Sequence, residues 1–336
     1  MRTFIRELKE GSSVTSAFIF DQVSAKTTKS GKPYLYLDVT DGTDKIAANY
    51  WDWSGKNKPN ANDTVYEVDA EVTSYMGVKQ LKINAIRTSA EYEVDDFIPR
   101  TGIDLEALYK EAYSLMGCVD NDALRSVGLK ALEDFMSDWV LKPAAVGMHH
   151  AFVGGLLVHS YTVGLLSYRL ANTMNDAHYL IHHKQYVDSD LCLVGGMLHD
   201  IGKILAYDFN GATPCMTIQG KLYEHSHLGA EMLKDLIKDI TIKYPSEATK
   251  LELLVHIVLS HHGLPEYGAA VPPMCIEGYI VNHADGVDAT TQMILEASNK
   301  VEDEAMLTQK IYPLNNREKI NPVWLHNLEL SEDRPF

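Results

Sequence analysis

At 336 residues the chain is long enough for two separately cored domains, and its 46% apolar and 23% charged make-up is ordinary for a soluble globular protein. No apolar run approaches the ~18 residues that span a bilayer, and the opening MRTFIRELKEG has no apolar signal core, so neither a membrane span nor a secretory leader is expected. A net charge of −16 argues against nonspecific nucleic-acid binding by the whole surface.

The charge is unevenly spread. Residues 1–95 hold 12 basic against 14 acidic side chains, and the remainder 18 against 32, so a local basic face is compatible only with the N-terminal part. Histidine is more lopsided still, because all 14 lie at or beyond position 149. The four cysteines, Cys118, Cys192, Cys215 and Cys275, have no CxxC spacing, which suits a reducing, cytoplasmic setting.

Residues 14–90 read as strands. VTSAFIFDQVSAKT, KPYLYLDVTD, DKIAANYWDW, DTVYEVDAEVTSYM and VKQLKINAIRT are rich in β-branched and aromatic residues, several alternating with period two. Turn signals part them: the run Lys29 to Pro33, Asp41-Gly42, and Gly77 between Met76 and Val78. Five short strands in so little chain predict a small closed barrel, for which the OB fold is the five-stranded solution.

The character changes across residues 91–103, which hold the acidic stretch Glu91–Asp96 and then Pro99. IDLEALYKEAYSLMGCV and ALRSVGLKALEDFMSDWV then carry apolar residues at helical spacing, and further helices are expected near 150–174, 188–201, 226–240, 246–261 and 274–299. The glycine- and proline-bearing segments 202–224 and 262–273 read as loops. We therefore expect a barrel at 1–92, a helical connecting region at 93–145, a helical domain at 146–310 and a tail at 311–336.

GGMLHDIGK (195–203) sets His199 and Asp200 in an apolar helix, where both are costly to bury without compensation, and a metal cation is the common compensation. Similar apolar contexts hold His159, His225, His261 with His262, and Asp285. A helical bundle can bring such side chains to one point. Imidazole plus carboxylate without thiolate suits Mn, Fe, Co, Ni or Zn.

One ion with open positions needs three or four protein ligands. Six or seven are on offer, which favours two divalent ions with Asp200 as the bridge, since a carboxylate has two oxygens. Two ions about 3.5–4 Å apart can activate a shared hydroxide and clamp a phosphate for in-line attack. Lys203, one turn past His199, is read as a catalytic point charge for a phosphate oxygen or the bound water, against the plainer reading of a solvated helix-end lysine. His149 and His150 precede the His159 helix and either touch a phosphate or cap that helix. His178, His182 and His183 are expected on the surface, His227 either in a structural role or beside the metal ligands, His256 in the core, and His283 in a structural role or beside the ligands.

On the barrel, single strands would bind by stacking on aromatics and tracking cations. Phe18, Tyr34, Tyr36, Trp51, Trp53 and Tyr75 supply rings, and Lys26, Lys29, Lys32, Lys79 and Lys82 supply charge. Alternation puts Leu35 and Leu37 inward and Tyr34 and Tyr36 outward.

The order H…HD…H…HH…D resembles the HD superfamily of metal-dependent phosphohydrolases. HHAFVGGLLVHS (149–160), LVGGMLHDIGK (193–203), LYEHSHLGAEML (222–233) and VLSHHGLPEYGAAVPPMCIEGYIVNHADGVDA (258–289), together with the preceding barrel, look like the YhaM family over roughly residues 1–310. The resemblance implies a multidomain α+β protein, a five-stranded OB barrel followed by an all-α HD bundle. It further implies a Mn-dependent 3′→5′ exoribonuclease acting on single-stranded RNA or DNA. It assigns metal roles to His159, His199, Asp200, His225, His261 and Asp285, with His262 a ligand or a residue touching one. The acidic helical half, the polar stretch NDAHYLIHHKQYVDSD and the tail past 310 depart from the family pattern. A homo-oligomer is compatible with the sequence. The competing readings are a hydrolase of a nucleotide or cyclic dinucleotide, and a non-catalytic single-strand-binding protein.

Overall fold

The computed structural model describes residues 2–75, 78–147, 149–301 and 304–330, with the side chains of 328–330 outside that description. The turn expected at Gly77 lies outside the described residues. Two compact units divide the chain: one holds residues up to Thr101 together with Phe209–Cys215, the other holds Gly102–Asp208 and the residues from Met216 onward.

The first unit is a closed barrel. Strands β1 (Ser13–Thr27), β2 (Pro33–Thr40), β3 (Lys45–Tyr50), β4 (Val65–Tyr75) and β5 (Val78–Thr88) close in the order β1-β2-β3-β5-β4. All pairings are antiparallel except β3 with β5. The long β1 serves both β2 and β4, and a bulge between Phe20 and Gln22 bends it around the closure. Period-two alternation fills the interior with Phe18, Phe20, Leu35, Leu37, Val68 and Leu81. The opposite face of β1 is covered too, since Ala17 and Ile19 pack with Phe97 and with Ala212 from the 209–215 segment.

The second unit is helical: α1 (Leu105–Gly117), α2 (Asp122–Asp134), α3 (Met136–Leu141), α4 (Gly155–His182), α5 (Ser189–Leu198), α6 (Lys203–Ala206), α7 (Ile218–Tyr223), α8 (His225–Lys238), α9 (Pro245–Ser260), α10 (Ile276–Ser298) and α11 (Pro322–Leu330). Helix α5 is apolar on every side, and Leu191 through Leu198 are all buried. Such a helix belongs at the centre of a bundle, and α2, α4, α9 and α10 pack around it. It crosses α4 at a glycine contact. A Cβ on Gly196 would meet Gly164 Cα at 2.9 Å, so only glycine allows the approach that brings the chemistry of the two helices together.

Two expectations need correction. Helix α4 runs to His182 rather than ending near 174. The segment 202–224, read as a loop, instead contains α6, a two-stranded hairpin of β6 (Tyr207–Asn210) and β7 (Thr213–Met216), and α7. The helical half is thus interrupted by a small sheet. No helix among the described residues is long and apolar enough to cross a membrane.

Candidate metal centre and nucleic-acid face

Helix ends deliver most of the centre. His199 caps the C-terminus of α5 and Asp200 follows it. His261 caps α9 and His262 follows, while His225 opens α8. His159 and Asp285 come from within α4 and α10. Gly202 is required to assemble them, because a Cβ there would lie 1.9 Å from the His225 carbonyl oxygen and 2.4 Å from Gly229 N.

The side chains converge on Asp200, which is 1% exposed. Its Oδ2 lies 3.2 Å from both His159 Nε2 and His199 Nε2, and Asp285 Oδ1 lies 3.3 Å from His159 Nε2. Its Oδ1 faces the other way, 3.3 Å from His225 Nε2 and 3.6 Å from His261 Nε2. His262 Nε2 is 2.9 Å from His225 Nε2. One carboxylate thus divides its oxygens between two imidazole sets. His159, His199 and Asp200 offer donor atoms within 4.8 Å of one another, and so do His225, His261 and His262.

The protonation pattern fits cation binding. Nδ1 of His199 donates to Gly196 O and Nδ1 of His261 donates to Val258 O, both at 2.7 Å. A carbonyl can only accept, so in the neutral rings each Nε2 turns a lone pair inward, that of His199 lying 3.1 Å from His159 Nε2. Asp200 Oδ1 and His261 Nε2 are buried and have no hydrogen-bond partner. Such orphans are rare unless another species completes them.

Burial pushes His225 down to about 3 in spite of Asp200, and holds His261 well below the ordinary imidazole range, so both stay neutral ligands. Burial favours the protonated form of Asp200, but the Lys203 ammonium, together with hydrogen bonding from His159, outweighs it and keeps the carboxylate charged. Burial likewise opposes charge on His159, yet Asp200, Asp285 and Asp288 together raise it. Positive charge is wanted at that point, and a divalent cation would provide it while releasing the proton.

Lys203 is 7% exposed, with Nζ 2.5 Å from Asp200 Oδ2, which corrects the solvated helix-end reading. His150 does not turn outward toward a phosphate. Its Nε2 lies 2.9 Å from Asp288 Oδ2, and the same oxygen accepts from His159 Nδ1 at 2.7 Å. His149 is mostly buried, its ring 5.9 Å from that of His159, and burial lowers it to about 4.

Asp288 escaped the sequence reading. The available signal was its position one helical turn beyond Asp285 in HADGVDA; its partners lie far away in sequence. His182 and His183 are exposed and His178 is partly so. His227 is exposed beside Glu231 rather than structural. His256 is half-buried and accepts from Met274 N, and His283 is exposed.

On the barrel, Tyr34 stacks on Trp51 with centroids 4.4 Å apart, and Lys26 Nζ sits 3.9 Å over the Tyr36 ring. Tyr34 pairs with Lys26 across β1 and β2, so these groups share one outward face. Lys29 is exposed in the adjoining turn, and Lys32 pairs with Asp52 at 3.0 Å in solvent. Trp53 is half-buried and donates to Lys56 O. Lys79 donates to Leu8 O and Lys82 pairs with Glu71, while Tyr75 stands exposed near the β4–β5 end. Phe18 is fully buried in the barrel core, which removes it from any binding face.

Comparison with known proteins agrees with this architecture. The HD domain model matches residues 156–290. A protein named 3′-5′ exoribonuclease YhaM from Geobacillus sp. (strain WCH70) is 27% identical, covering 94% of this chain and 93% of its own. Proteins of the same name from Bacillus velezensis and Bacillus licheniformis are each 28% identical, covering 94% and 88% of this chain and 96% and 90% of theirs. Among solved structures, the second OB-fold domain of replication protein A from Methanococcus maripaludis aligns over 27% of this chain and 98% of its own, at 18% identity and a TM-score of 0.23. The chain therefore carries a matched HD domain and is similar along nearly its whole length to proteins named 3′-5′ exoribonuclease YhaM.

Proposed function

We propose that the protein is a metal-dependent 3′→5′ exonuclease of single-stranded RNA, with DNA as a second substrate, and that two divalent ions occupy its helical unit. The observation that carries this reading is the divided carboxylate of Asp200: one oxygen faces His159 and His199, the other His225 and His261, and each set presents lone pairs. His159, His199 and Asp285 would hold one ion, His225, His261 and His262 the other, with Asp200 between them. Imidazole and carboxylate donors suit Mn, Fe, Co, Ni or Zn alike, and Mn is the ion that the YhaM resemblance implies. Bound there, such ions supply Lewis acidity for the phosphodiester and activate water.

The chain's own residues do the positioning. Asp288 fixes the His159 ring by accepting from Nδ1, and His150 holds Asp288 from the other side. The Lys203 ammonium keeps Asp200 ionised and brings positive charge to a place where a phosphate oxygen would be drawn. The outward face of Tyr34, Tyr36 and Trp51, with Lys26 and Lys29, would hold the strand by stacking and charge. A cytoplasmic location accords with the cysteine pattern.

The test incubates end-labelled single-stranded RNA and DNA with Mn, with Mg and with EDTA, alongside Asp200→Ala. Stepwise shortening from the 3′ end that disappears with EDTA and with the variant is the expected result. Hydrolysis of mononucleotides or cyclic dinucleotides without strand shortening would replace it with a nucleotide phosphohydrolase. Retention of RNA without any turnover would reduce the protein to a binder.

A further inference from the structure

We propose that the cleft beside His262 seats one nucleoside, the terminal one of the strand. The inference rests on the exonuclease reading and names the part of the substrate that this place takes. The cleft has a volume of about 590 Å³, within the ~300–1,000 Å³ usual for small-ligand sites. One wall is the segment after α9, with His262, Gly263 and Tyr267; the floor is the face of α10 carrying Asn282, Gly286 and Thr290.

Its location ties it to the centre. His262 lines the cleft and also lies 2.9 Å from His225 through their Nε2 atoms. Asn282 lines it and donates to the His261 carbonyl at 2.6 Å. A ligand here would touch the edge of the imidazole set with one end and extend along α10 with the other.

Its chemistry selects the ligand. No lysine, arginine, aspartate or glutamate lines the cleft, and His262 and His283 are its only titratable side chains besides Tyr267, so it holds no permanent charge for a further phosphate. It offers instead a ring, that of Tyr267, which is 69% exposed, and neutral hydrogen-bonding groups in Asn282 and the hydroxyls of Thr290 and Thr291. A flat ring for stacking, with uncharged donors and acceptors, matches a base and sugar whose single phosphate points to the metal end. The floor is open at Gly286, where an added Cβ would meet nothing within 4 Å.

That open floor gives a clean test. In Gly286→Leu the new side chain would enter the cleft, while helix propensity improves and the fold is retained. Tyr267→Ala removes the ring and Tyr267→Phe keeps it. The Mn-loaded full chain and each variant are titrated calorimetrically with AMP and, separately, with inorganic phosphate, with melting temperature checked on the same samples. The inference expects AMP to bind wild type more tightly than phosphate does. It expects AMP to weaken about tenfold or more in Gly286→Leu and in Tyr267→Ala, and to stay near wild type in Tyr267→Phe.

Equal affinity of wild type for AMP and phosphate would overturn the inference. So would AMP binding indifferent to both Gly286→Leu and Tyr267→Ala. Because these readouts do not depend on turnover, failure of wild type to shorten RNA would strike the exonuclease reading separately.

Discussion

The barrel and the helical bundle are both built on apolar cores, yet they complete their charged groups differently: Asp41, fully buried in the barrel unit, accepts from the backbone N–H groups of Thr43 and Asp44. In the barrel, charged side chains such as Arg87 with Asp69, or Lys32 with Asp52, are partnered in solvent, and the interior is Phe18, Leu35, Leu37 and their like. In the bundle, Asp200, His159, His199 and His261 are buried at 1% exposure or less, and two of their polar atoms, Asp200 Oδ1 and His261 Nε2, have no hydrogen-bond partner. Burying such groups unsatisfied costs several kcal/mol. On the proposed reading the contrast separates two roles: the barrel would supply a surface for affinity, and the bundle a buried His/Asp cluster that could hold a cation.

Mutations should separate these roles, and the largest effect is expected at the shared carboxylate. Asp200→Ala should lower RNA turnover by about a thousandfold or more, since several kcal/mol of charge stabilisation go with the ions. Its RNA retention at low metal, read by filter binding, should change far less; a large loss of retention would blur the division between the two units. Next comes Asp288→Asn, which removes the anionic acceptor behind His159. Metal affinity, followed by titration against a chelator, should fall about 10- to 100-fold, and a value equal to wild type would show that Asp288 is only a packing residue.

Barrel substitutions should act on affinity. Trp51→Ala breaks the stack with Tyr34 and should raise the Kd for single-stranded RNA about tenfold, since base stacking contributes about 1–3 kcal/mol per ring. The smallest effect is expected for Lys29→Ala, measured as binding against salt concentration. A phosphate contact there would reduce the slope by about one and the affinity only a few-fold. An unchanged slope would move the strand path away from the β1–β2 turn.

Much of the barrel was legible because period two is a local signal. The alternation Tyr34, Leu35, Tyr36, Leu37 states which ring faces out before any partner strand is known. The convergence of His159, His199, Asp200, His225, His261 and Asp285 was legible in kind, because imidazoles and carboxylates in apolar helices demand a common explanation. What was hidden depends on distant partners. Helix α4 continues through polar residues because Asn175 is buried, and its carboxamide bonds the backbone of Tyr186 and Val187 in the returning chain. Asp288 looked like one more helix acid until His150 and His159 met it. Phe18 read as a possible platform, and only closure of the barrel decides that it faces inward.

The central claim is that Asp200 separates two cation positions, and counting the ions tests it most directly. Elemental analysis of Mn-loaded, desalted protein should find about two ions per chain in the wild type, with a marked loss in Asp200→Ala whose melting profile still shows a folded protein. One ion per chain in the wild type, or two retained by the folded variant, would contradict it.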